Sequence, residues 1–181
     1  MRTLGLYFVF LLGLCGASVA PAASSLSFDW WWWPFRHTTL QGEYLNGVFR
    51  RAFNLKTNFN TCVGPWKGPY LREHAGIVVQ HFLEGSHERE LEGITRLLGL
   101  VQELTYDWTG CEEVKGFATI HLVKVAHLKG TVILGSVVRN SRWRLANLEQ
   151  NFIDAVSEEK WRKAGTVVGD IIKLLLEKCD P

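Results

Sequence analysis

Apolar residues recur with a helical period over most of this chain, and the pattern predicts about five helices. Thr38 or Thr39 can cap the first, which runs to about Leu55 with Leu40, Tyr44, Leu45, Val48, Ala52 and Phe53 at helical spacing. A long loop with Gly64, Pro65, Gly68 and Pro69 follows. The stripe Ile77, Val78, Phe82, Leu91, Ile94, Leu97, Leu98 and Val101 predicts a second helix from about Leu71 to Leu104. A polar stretch in its middle, Glu84 to Glu90, is where that helix would kink or split.

Residues 114–138 read two ways. Phe117 to Val125 and Thr131 to Leu134 are rich in β-branched residues and, with Lys129-Gly130 between them, suit a hairpin. The helical stripe Phe117, His121, Leu122, Val125, Leu128, Val132 and Gly135 makes helix the preferred reading. The next helix, Arg142 to Val156, buries Leu145, Leu148, Phe152 and Val156, with Asn147 and Asn151 on another face. Ser157 is then placed to cap a last helix whose first turn carries Glu158 and Glu159, acids that favour the positive helix end. That helix presents Trp161, Ala164, Val168, Ile171, Leu175 and Leu176, and its Gly165 and Gly169, four apart, suit a helix-packing groove.

The N-terminal part departs from this pattern. Residues 1–20 have the form of an export signal: Arg2 at the start, an apolar run from Leu4 to Cys15, and Ser18-Val19-Ala20 at the cleavage position, with Ala22 and Ala23 as neighbouring alternatives. The apolar run is shorter than the roughly 20 residues of a membrane span. Residues 21–37 form a Trp-rich leader without helical period, and residues 38–181 form a single helical domain. Removing Arg2 from the 20 basic residues leaves 19 against 18 acidic ones, a balance that argues against nucleic acid as a partner. Arg50-Arg51 and the Arg142/Arg144 pair read as solvated helix faces.

Export implies an oxidising compartment. Of the 4 cysteines, Cys15 leaves with the signal, and two of the remainder are expected to pair. Cys62 and Cys111 lie in loops that bracket one predicted helical stretch, so a Cys62–Cys111 bridge is expected, contributing on the order of 3–4 kcal/mol through the unfolded chain. Cys179 is left free, available for an intermolecular bridge, or a competitor for either partner.

The order of these features resembles a known group. Gly42, Leu45, Gly47 and a loop Cys62 are followed by a long helix and Asp107-Trp108-Thr109-Gly110-Cys111. An Asn-containing helix, Asn147 to Asp154, then leads into Trp161-Arg162-Lys163-Ala164-Gly165 and on through Gly169 to Ile171. Over about Leu40 to Leu176 this is similar to a group of small secreted, all-helical proteins of ciliates and other protists. The resemblance implies helix for residues 114–138 and supports the Cys62–Cys111 bridge, and it brings no activity with it. The run Trp30 to Trp33 is not part of the shared pattern.

No chemistry stands out locally. Glu84-Gly85-Ser86-His87 has the Glu-x-x-His spacing of di-iron bundles, but no second such motif accompanies it, so a solvated polar patch is the expectation. His74, His81, His121 and His127 read as ordinary histidines that, if they converge, would make a pH-sensitive contact. Ser86 and Ser136 lack the Gly-x-Ser-x-Gly elbow, and no Gly-rich phosphate loop is present. No catalytic residue, metal site or cofactor is therefore expected.

The remaining signal is Trp30, Trp31, Trp32 and Trp33, flanked by Phe28 and Phe35. An extended segment sends alternate side chains to opposite sides, so one core cannot take all four indoles. The run either wraps a groove of its own domain or contacts something else, and Trp favours half-wet contacts with proteins or lipid. The sequence thus points to a secreted non-enzymatic interaction or structural protein that assembles through the Trp-rich segment, the Gly-containing last helix, or both. Its partner would be another protein or a second copy. Lipid binding is the alternative, and an enzyme of unknown class the third reading.

Overall fold

The computed structural model describes residues 39–62, 67–106, 123 and 132–179, without the side chains of residues 132, 133, 178 and 179. Within them the fold is all-helical, with six α-helices and no strand: α1 Leu40–Phe53, α2 Gly68–Glu84, α3 His87–Tyr106, α4 Val132–Asn140, α5 Arg142–Ser157 and α6 Trp161–Cys179. The expected all-α class is the observed one. The leader and the signal segment lie outside the described residues, and so do Cys111, His121 and His127.

The helix ends follow from local chemistry. Thr39 caps α1, its hydroxyl accepting from the Gly42 N–H at 3.1 Å, while Asn54 ends it in the left-handed region at φ 56°. Asn60, on the short 3-10 turn Phe59–Thr61, accepts from the Thr39 N–H at 3.0 Å and donates to Glu43 Oε1 at 3.1 Å. One amide thus serves both the backbone and an acid at the start of α1. Thr39→Ala is expected to cost about 1 kcal/mol in a urea melt, since a first-turn N–H loses its acceptor; an unchanged midpoint would show that water replaces the cap.

Two helix starts differ from expectation, and one expected break is located. Gly68 and Pro69 are not loop but the first turn of α2, where proline's missing N–H would have had no helical acceptor. The helix expected over Leu71 to Leu104 is split within the polar stretch Glu84 to Glu90, where a kink or split was expected: Gly85 takes φ 64° and ends α2. That division accounts for six helices where about five were expected. Finally, Ser157 does not cap the last helix. It closes α5, its hydroxyl donating to the Asp154 carbonyl at 2.9 Å, and Glu158 and Glu159 form the link to α6, with Glu159 at φ 53°. The first turn of α6 therefore starts at Trp161 and holds Arg162 and Lys163 instead of acids. In the ambiguous stretch, Val132 to Val138 belong to α4, the helical choice; apart from Val123, residues 114–131 lie outside the described residues.

The core joins the predicted stripes. Tyr44, Leu45, Val48, Ile94, Leu97, Leu98, Phe152, Ala164, Val168 and Ile171 are all fully buried. So are Phe49 and Phe59, which periodicity did not select; their rings stack at 4.8 Å and fasten the 3-10 turn to α1. Asn46 Oδ1 also accepts a hydrogen bond from the Phe59 N–H at 2.8 Å. Phe82 of α2 meets Phe152 of α5 edge-on at 6.1 Å. The buried Lys67 donates to the Glu103 carbonyl at 2.9 Å, a cation at the C-terminal end of α3.

Candidate functional site

Among the described residues, the most extensive helix contact is between α1 and α6. They run in the same direction: Glu43 meets Arg162 at one end, with 3.9 Å between Oε2 and Nε, and Arg51 meets Asp170 at the other. Glycines let the backbones touch between those ends. A Cβ on Gly47 would stand 2.6 Å from the Thr166 nitrogen, one on Gly165 would stand 2.8 Å from the Tyr44 carbonyl carbon, and one on Gly169 would stand 2.8 Å from the Val48 oxygen. The Gly165–Gly169 face is thus spent on α1, inside the domain.

Helices that touch along a glycine seam carry their longer side chains on either side of it, and here these side chains bound an open groove of about 960 Å³. Its lining is strongly basic: Arg50 and Arg51 come from α1, and Lys160, Arg162 and Lys163 from the start of α6 and the residue before it. Two acids, Glu43 and Glu159, also line it. Glu43 is engaged by Asn60 and Arg162, and Glu159 lies 3.4 Å from Arg72. Lys160 pairs with Glu158 at 2.8 Å. Among the described residues, exposed Arg50 and Lys163 have no ion-pair partner. Trp161 lines the groove and is itself 5% exposed, and its buried indole N–H has no acceptor. Cations in the first turn of α6 oppose the positive end of that helix, so the groove concentrates positive potential.

A second polar cluster lies where the end of α2 meets the starts of α3 and α5. Glu90 and Glu149, 7% and 6% exposed, face each other there with Arg142, whose guanidinium is 3.9 Å from Glu90 Oε1. Burial, reinforced by the Glu90 charge and opposed by Arg142, pushes the Glu149 carboxyl up to about 7, and its Oε1 is buried without a hydrogen-bond partner. His81, also buried, stands 3.7 Å from Glu92 Oε1, and neither ring nitrogen makes a hydrogen bond. Such a carboxyl can hold or release a proton near neutrality. Glu149 nevertheless lines neither the α1/α6 groove nor the smaller one of about 370 Å³ beside Arg144 and Lys173.

The other residues singled out from the sequence fall as follows. Glu84 is exposed and pairs with Arg89 at 2.8 Å, while His87 lies 3.9 Å from Glu90. His74 stacks on Tyr70 at 3.9 Å between ring centres, with Nδ1 3.1 Å from the Tyr70 carbonyl. Among the described residues no group of three or more His, Cys, Asp or Glu is placed to hold a metal ion. Cys62 is buried at the end of the 3-10 turn; Phe28, Trp30 to Trp33 and Phe35 lie outside the described residues. The basic groove escaped sequence reading. Its signal was the cationic first turn of α6, which is visible only once the helix start is moved from Glu158 to Trp161. No helix among the described residues is long and apolar enough to cross a membrane. The chain matches no protein-family model, no curated protein and no solved structure.

Proposed function

We propose that this chain is a secreted, non-enzymatic interaction protein. The observation that carries the reading is the α1/α6 groove, an open concavity preformed on two helices locked together by their glycine seam. Its volume is in the range of ligand clefts, and it offers apolar walls with charged rims. The Trp-rich segment, Trp30 to Trp33, is the second contact element. The glycines of α6 are engaged by α1, so assembly is assigned to the aromatic segment and not to that helix face.

Light scattering tests the assembly. The secreted protein is expected to self-associate at high concentration, and a full-length variant with Trp30 to Trp33 changed to Ser is expected to stay monomeric while remaining helical. A wild-type protein that is monomeric at every concentration, with and without reductant, would overturn the reading. The proposal includes the Cys62–Cys111 bridge. Its support is the burial of Cys62 at the end of the 3-10 turn. A non-reducing digest is expected to yield the two cysteine peptides joined; separate peptides would refute the pairing.

A further inference from the structure

We infer that the α1/α6 groove recognises an extended acidic segment of a protein partner, with carboxylates at about every third residue. The inference rests on the interaction reading above and names the partner's chemistry.

Charge is the first argument. Five cationic side chains line the groove against two acids; Arg162 pairs with Glu43, Arg51 with Asp170 and Lys160 with Glu158, while the second acid, Glu159, pairs with Arg72 of α2. Arg50 and Lys163 remain without ion-pair partners among the described residues. The first turn of α6 adds the partial positive charge of its backbone N–H groups and contains no acid to offset it. Placing Arg162 and Lys163 there works against helix stability, and a local cost of this kind is expected where a surface is built for a ligand.

Spacing is the second argument. The Arg162 guanidinium is paired with Glu43, so its chain neighbour Lys163, which also lines the groove, is the available cation at that end; Arg50 lies seven residues beyond Glu43 along α1, about 10 Å at the helical rise. A chain in the polyproline II conformation repeats every third residue at roughly 9 Å and presents those side chains on one face. An acidic segment of that form reaches both positions at once.

The test titrates the full-length secreted protein into a fluorescein-labelled dodecapeptide with Glu at every third position, beside the same peptide with Gln there. The Glu peptide is expected to bind at least tenfold more tightly, with affinity falling as salt rises from 50 to 200 mM. The double variant Arg50→Glu, Lys163→Glu is expected to lose tenfold or more, while its circular dichroism and melting curve stay near wild type, since both side chains are exposed. Equal binding of the two peptides, binding of neither, unchanged affinity in the double variant, or binding only to phosphatidylserine vesicles would overturn the inference. Light scattering of the Trp-to-Ser variant is unaffected by any of these results, so the assembly reading stands or falls separately.

Discussion

Gly165→Ala is expected to destabilise the fold by about 3 kcal/mol, near the upper end of the cost of overpacking a rigid site. The added methyl would sit 2.8 Å from the Tyr44 carbonyl carbon, 3.0 Å from its Cα, and closer still to its oxygen. These are backbone atoms of a buried helix, so no side chain can swing aside; α1 and α6 have to separate. Their contact is the most extensive among the described helices, and a separated pair leaves voids along it. The matched control is Gly76→Ala in α2. Nothing lies within 4 Å of a Cβ at Gly76, so that change is expected to raise stability by about 0.5–1 kcal/mol through helix propensity alone. Urea unfolding of the two variants provides the comparison. A Gly165→Ala midpoint as high as that of Gly76→Ala would mean that the helices do not approach as described.

At pH 8, Glu149→Gln is expected to be more stable than wild type by about 1–2 kcal/mol, allowing for solvent screening of the shift. Burial and the nearby Glu90 raise the carboxyl from 4.5 to about 7 in the fold, with Arg142 opposing. Between those two values the folded chain keeps a proton that the unfolded chain has released. The stability this provides is therefore complete below about pH 4.5 and is lost as pH rises through about 7. Above that, an ionised carboxylate sits buried opposite Glu90 with one oxygen lacking a hydrogen-bond donor. The neutral amide keeps the shape and removes the charge, so the two proteins should unfold alike at pH 4 and diverge at pH 8. Equal stability at both values would show that water or a cation reaches Glu149 and compensates its charge.

Neither the glycine seam nor the carboxyl pair could be fully read along the chain, for different reasons. Gly165 and Gly169 carry a local signal, because a four-residue glycine spacing on a helix is legible wherever the helix is. Their partner is not legible: that they face Tyr44 and Val48, more than a hundred residues earlier, depends on the parallel pairing of α1 and α6. Glu90 and Glu149 each look like surface acids in sequence, and only the convergence of α2, α3 and α5 buries them together.

What the sequence determined by itself was the all-helical class, the apolar faces of α1, α3, α5 and α6, and a threonine cap at 38 or 39, of which the structure selects Thr39. All of these depend on residues within a turn or two of one another, where side-chain period and backbone hydrogen bonding decide. The tertiary structure decided the rest. It moved the start of α6 past Glu158 and Glu159, buried Phe49 and Phe59 against each other, and brought Arg50 beside the cationic first turn of α6 to form the groove. Charges so far apart in the chain are separate, solvated residues until two glycine-bearing helices pack backbone to backbone, and that packing energy belongs to no local segment.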